Sequence, residues 1–291
     1  MSERVLGLWR RRMSVGAALS ACVFVTAPIL VPGAVRPAVA QDSVALAPAP
    51  AKPDSAKSDT AQPHASEPFG VGEKLTYTVA VGGAKVGSGA MSIVGVDTVQ
   101  GHPTFHSLFT VDGGFLMFKV HDVLESWFDT TTLVSRRFIQ KIHEVNYEKQ
   151  RYYDIWPERR QMQQHGYPVM ASVSNPLDDG SFLYFVRTVP LEVGKTYTFN
   201  RYFRPERNPV IVKVLRRERV TVPAGTFDAI VIQPIIKSQG LFAEGGEAVM
   251  WLSDDPRHIL VQMKAKVPVL RTLDLYLQSY QPPITETAED R

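Results

Sequence analysis

The chain is almost without cysteine: Cys22 is the only one, and it sits inside an apolar N-terminal run. That excludes a disulfide framework, a thiolate nucleophile and a cysteine-based metal centre in everything that follows, so stability must come from a packed core. Also missing are a Gly-x-Ser-x-Gly nucleophile turn, a His-Glu-x-x-His pair and a glycine-rich phosphate loop ending in lysine. Excess positive charge is lacking too. The formal net charge is +3, but residues 1–40 hold five arginines and one glutamate, which leaves 27 basic against 28 acidic residues beyond them. A balance near −1 argues against nucleic-acid binding, which needs a concentrated positive field. Arg216-Arg217-Glu218-Arg219 and the trio Arg201, Arg204 and Arg207 are local basic clusters, read as solvated charge.

What is present begins with a targeting signal. Arg4, Arg10, Arg11 and Arg12 precede an apolar run from Met13 to Val31, and Ala38-Val39-Ala40 offers a small-x-small cleavage site, so residues 1–40 read as a signal peptide cut after Ala40. Leu19-Ser20-Ala21-Cys22 spells an alternative, lipidation of Cys22. Against it, the residues following Cys22 stay apolar, where a lipidated terminus turns polar at once. An uncleaved anchor is a third reading, opposed by Pro28. Membrane association is expected only through Cys22 lipidation or an uncleaved N-terminus. The location expected is exported, in the periplasm or outer envelope.

Residues 41–66 are rich in Ala, Pro and Ser and have no aromatic residue, the composition of a disordered tether. Leu75, Tyr77, Val79 and Val81 then alternate with Lys74, Thr76, Thr78 and Ala80 at the strand period of two. Similar runs recur at short spacing through Thr272–Tyr280, punctuated by Gly82-Gly83, Asp112-Gly113-Gly114, Pro223-Ala224-Gly225, Gly245-Gly246 and Asp254-Asp255-Pro256. The fold class predicted is mainly β, an antiparallel meander forming a barrel or strongly curved sheet over residues 67–282, with a disordered tail at 283–291. One short helix is expected near 178–187. Asp178 and Asp179 are its N-cap candidates, Phe182, Leu183, Phe185 and Val186 form its apolar stripe, and Pro190 follows its end.

The motifs Pro68-Phe69-x-Val71-Gly72-Glu73-x-Leu75-x-Tyr77, Asp122-x-x-Glu125-Ser126, Asn175-Pro176-Leu177-Asp178, Leu191-x-Val193-Gly194-Lys195-x-Tyr197, Val222-Pro223-Ala224-Gly225-Thr226-Phe227-Asp228 and Trp251-Leu252-Ser253-Asp254-Asp255 occur in that order. In this the chain resembles the bacterial domain of unknown function 3108, over essentially all of its ordered part. The resemblance implies an exported, β-rich, envelope-associated domain with no established activity and supplies no catalytic residue. Asp179-Gly180 departs from the Ala or Ser that many members carry, and is expected to loosen the helix N-terminus.

Three functions are weighed. The leading one is a non-enzymatic binding domain for a hydrophobic or amphipathic ligand, or an envelope partner, in the concavity of the sheet. In it Phe115, Leu116, Met117, Phe118, Leu241 and Phe242 give apolar contact, and Arg136, Arg137 and Lys141 meet an anionic head group. The second is an envelope hydrolase, which requires His121, Asp122, Glu125, His143 and Glu144 to converge in a cleft. The plainer reading of those five is the wet face of a sheet. The third is a structural or assembly module with no ligand cavity and a bare sheet edge or apolar patch. No cofactor is expected. No metal is expected either, since His102 and His106 at i, i+4 on a strand stand about 13 Å apart, too far to share one ion.

Overall fold

The computed structural model describes residues 67–115, 118–144, 147–236, 248–267 and 271–284. The signal, the linker, most of the tail and the segment holding Leu241, Phe242 and Gly245-Gly246 lie outside the described residues. Eight strands follow one another: β1 (Lys74–Val81), β2 (Ala84–Val99), β3 (His102–Phe115), β4 (Phe118–Asp129), β5 (Ser135–Glu144), β6 (Tyr147–Trp156), β7 (Gln161–Gln164) and β8 (Met170–Ala171). After α1 (Asp179–Phe185) come β9 (Thr196–Phe199), β10 (Val210–Val222), β11 (Gly225–Ile236), β12 (Ala248–Ser253), β13 (Leu260–Val267) and β14 (Arg271–Gln281). Every neighbouring pair is antiparallel, and the sheet order runs β8 back to β1, then β14 back to β9. Pairing of the first strand with the last bends the two meanders into one curved, barrel-like sheet whose free edges are β8 and β9.

The curl brings those edges together without pairing them. The Ser172 hydroxyl donates to the Phe203 carbonyl at 2.7 Å, and the Phe203 amide donates to the Leu177 carbonyl at 2.9 Å. Phe203 fills the seam, 5.2 Å from Tyr153 and 6.2 Å from Phe138 between ring centres.

Turn chemistry matches the sequence reading at Gly82-Gly83, where φ of 57° and 87° suits a two-residue hairpin. It differs at Asp112-Gly113-Gly114. These residues continue β3, because Gly113 and Gly87 face one another in the ladder. A Cβ on Gly87 would stand 2.2 Å from the Asp112 carbonyl oxygen, so the glycines serve close backbone approach rather than a turn. β7 and β8, four and two residues long, are too short to show a period in the sequence. β9 is only four residues long, and Pro205–Arg207 beyond it forms a single 3-10 turn.

The helix falls where the caps predict. Asp178 accepts from the Gly180 and Ser181 amides at 2.8 and 2.9 Å, and the Asp178 amide donates to the Ser181 hydroxyl oxygen at 2.9 Å, a capping box. Residues Gly180–Phe185 are all buried, so α1 is a plug inside the sheet rather than a cover on it. Gly180 does not loosen the start. A Cβ there would meet the Ser126 Cβ at 2.9 Å, so glycine lets the helix lie against β4.

Candidate functional site

Strand alternation decides which candidates share a face. On β4, Leu124 lines an interior cavity and Ser126 and Phe128 are buried under the helix, which sends Asp122 inward and His121 and Glu125 outward. On β5, Phe138, Gln140 and Ile142 point in, and Arg137, Lys141 and His143 out. The four of the five hydrolase residues whose side chains are described, His121, Asp122, Glu125 and His143, therefore do not converge. His121 pairs with Asp112 at 2.5 Å on the exposed face. Glu125 receives Lys141 at 2.8 Å and His106 at 3.3 Å. Its partial burial works against the charge, but the Lys141 and His106 bonds hold the carboxyl below its ordinary value, the opposite of what a general acid requires. The side chain of Glu144 lies outside the described residues. Among the described residues no group of three His, Cys, Asp or Glu is placed to hold a metal.

The proposed head-group residues already hold carboxylates. Arg136 is buried in a bulge of β5 and binds Glu158 at 2.8 Å, Arg137 binds Asp154 at 3.1 Å on the outer face, and Lys141 binds Glu125. None reaches the concave side. Of the apolar candidates, Phe115 ends β3 and Phe118 begins β4, but their side chains, with Leu116, Met117, Leu241 and Phe242, lie outside the described residues. Strand direction still places the ends Phe115, Phe118, Ile236 and Ala248 at one end of the sheet, together with the β1–β2 hairpin.

The two ends of the barrel differ in filling. At the end where the chain enters, α1 seals the interior. Tyr184 packs 5.0 Å from Phe69 and 5.3 Å from Phe128. The plug is bolted by a buried ion pair in which Arg187 donates to both oxygens of Glu73 at 2.8 Å, and also to the carbonyls of Pro68 and Arg257. At the Asp178 cap, burial pushes the carboxyl up to about 6, against the bonds from Ser126, the Ser181 amide and Ser135.

Toward the hairpin end, the inward residues Phe109, Val111 and Leu124 remain only half-buried. With Val79, Ile142, Met263, Leu273 and Leu275 they line a cavity of about 70 Å³. Two polar side chains enter it, Asp122 and Gln140. One oxygen of Asp122 accepts the His143 amide at 3.2 Å. Burial raises the carboxyl to about 6, and that bond and the nearby His121 and His143 pull the other way. Gln140 is fixed by Arg151, which donates to its side-chain oxygen at 2.7 Å.

The sequence reading missed Gln140, Lys149 and Arg151. Lys149 and Arg151 are in phase with the buried Tyr153 and Ile155, and that period-two register was the signal available.

The family described as "Protein of unknown function (DUF3108)" matches residues 76–277. The chain belongs to the DUF3108 family. Its motif residues act as joints in this DUF3108 domain: Glu73 binds Arg187, Ser126 donates to Asp178 at 2.6 Å, and Pro223-Ala224 turns β10 into β11. Among solved structures, the chain is similar to a β-barrel-like DUF1849 protein from Brucella abortus (10% identity, 74% of this chain and 99% of that one, TM-score 0.47). It is also similar to a provisionally assigned lipoprotein from Parabacteroides distasonis (12% identity, 75% and 100%, TM-score 0.33). A third is a provisionally assigned exported protein with a YmcC-like fold from Bacteroides fragilis (13% identity, 74% and 97%, TM-score 0.27). No curated protein matches the chain.

Proposed function

We propose that this chain is an exported envelope domain, in the periplasm or outer envelope, that binds the apolar chain of an amphiphile inside its barrel and performs no catalysis. The observation that carries this reading is the unequal filling of the barrel. One end is packed solid by α1, whereas at the other Phe109, Val111 and Leu124 keep apolar surface half-exposed around a cavity. Leaving such surface wet forgoes about 25 cal/mol per Å² that a ligand would recover. A volume of about 70 Å³ is roughly twice a water's share of the liquid, room for the end of an alkyl chain. Export rests on the basic N-terminus, the apolar run and the site after Ala40.

Native mass spectrometry of the protein recovered from the cell envelope, followed by solvent extraction, tests the reading. A stoichiometric amphiphile supports it. A clean apo mass, together with no heat of binding for any dodecyl-chain amphiphile, overturns it.

A second reading has one observation in its favour. The sheet edge β8 is accompanied by exposed Tyr167, Val169 and Met170, which suits an assembly module joined through that edge. Tyr167→Lys with Met170→Lys would dissociate such an assembly in analytical ultracentrifugation, and a monomer before and after would refute it.

A further inference from the structure

The inner face of β4, β5 and β6 can be read in rows from the strand register. Asp122 stands opposite Ile142 and Ile142 opposite Lys149; the next row toward the plug is Leu124, Gln140 and Arg151. Of the rows whose side chains are described, the one nearest the hairpin end therefore carries a carboxylate at one side, an ammonium at the other and an apolar side chain between. Alternate strands place those backbone positions about 10 Å apart. The two charges do not bind one another: among the described residues Lys149 makes no hydrogen bond or ion pair. Asp122 uses only the oxygen that takes the His143 amide.

Among the described side chains, nothing else on the concave side neutralises either charge. Across the cavity, β1, β13 and β14 present Val79, Met263, Leu273 and Leu275. His121 and His143 face outward from β4 and β5. Partial burial, and then the adjacent Arg151 charge, disfavour the Lys149 ammonium. Arg151 is already drawn to the Asp179 carboxyl, so Lys149 is the cation of this face that has no anion among the described residues.

We infer that the amphiphile this barrel takes is zwitterionic, its ammonium on Asp122, its anionic group on Lys149 beside Arg151, and its chain in the cavity between. The inference rests on the chain-binding reading above and names its ligand class. It moves the polar anchor from the outer-face residues Arg136, Arg137 and Lys141 to the inner face.

The test is calorimetric titration of the exported full chain at pH 7.5 with three twelve-carbon probes below their micellar concentrations: lauroyl lysophosphatidylethanolamine, laurate and dodecylamine. The zwitterion is expected to bind about tenfold more tightly than either singly charged probe. Asp122→Asn should weaken the zwitterion and the amine about tenfold and leave laurate unchanged or tighter. Lys149→Gln should weaken the zwitterion and laurate and spare the amine. Lowering the pH from 7.5 to 5 should weaken amine binding as Asp122 takes up its proton, with no such loss in Asp122→Asn. That comparison separates Asp122 from the outward-facing His121 and His143. If all three probes bind within threefold of one another in the native chain and in both variants, the inference falls and the chain-binding reading stands. If none binds, the chain-binding reading falls with it.

Discussion

Replacing Arg187 by Met is expected to destabilise the domain by about 3–5 kcal/mol, because it removes one partner of a wholly buried ion pair and strands the other. Both side chains are 0% exposed, so water cannot take over the lost bonds. Glu73 would keep one hydrogen bond among the described residues, from the Tyr280 hydroxyl at 3.3 Å. The Pro68 and Arg257 carbonyls would lose their donor. At about 2–4 °C per kcal/mol for a domain of this size, the midpoint of thermal unfolding should fall by about 6–20 °C. Replacing both partners with apolar residues, Glu73→Leu with Arg187→Met, should recover most of the loss. Urea unfolding followed by tryptophan fluorescence measures all three chains. A single variant costing under about 1 kcal/mol, or a double variant as poor as the sum of the singles, would refute the idea that this pair bolts the plug.

Three further outcomes follow from the same geometry. Gly180→Ala puts a Cβ 2.9 Å from the Ser126 Cβ. Overpacking should outweigh the roughly 1 kcal/mol gain in helix propensity and lower stability by about 1–2 kcal/mol; a neutral result in urea unfolding would place the helix further from β4. Asp178→Ala removes the acceptor for Ser126, Gly180 and Ser181 and should cost about 2–4 kcal/mol. The Asp178 carboxyl sits near 6 when folded, raised first by burial. Its contribution is thus full below about pH 3.8 and lost as pH rises through about 6, a dependence that Asp178→Asn should erase from the stability–pH curve. Finally, lengthening an alkyl probe by one carbon should tighten binding about fourfold, from about 0.8 kcal/mol per buried methylene, until the cavity is full. A series with no length dependence in calorimetry would mean that the chain is not in the barrel.

The sequence carried the class of fold and most of its punctuation. Period two at Leu75–Val81, the paired glycines at 82–83 and the Asp178 cap each follow from local backbone physics, and each is present in the structure. The short strands β7 and β8 were illegible because two to four residues show no period. The role of Gly87 and Gly113 was illegible because close approach of two backbones is a property of the pair. For the candidate site the limit was the same. Asp122 and His121 are neighbours in sequence but occupy opposite faces, so grouping them by proximity joined residues that the sheet separates.

The sequence by itself determined that this is a cysteine-poor, strand-rich domain with one helix capped at Asp178. Composition, period and capping act within a few residues and need no partner. Only the tertiary structure decided that the helix fills one end of the barrel, that Arg136, Arg137 and Lys141 are spent on outer or buried carboxylates, and that Asp122 and Lys149 share a concave row. Strand register and the pairing of β1 with β14 set those facts, through contacts between residues far apart along the chain.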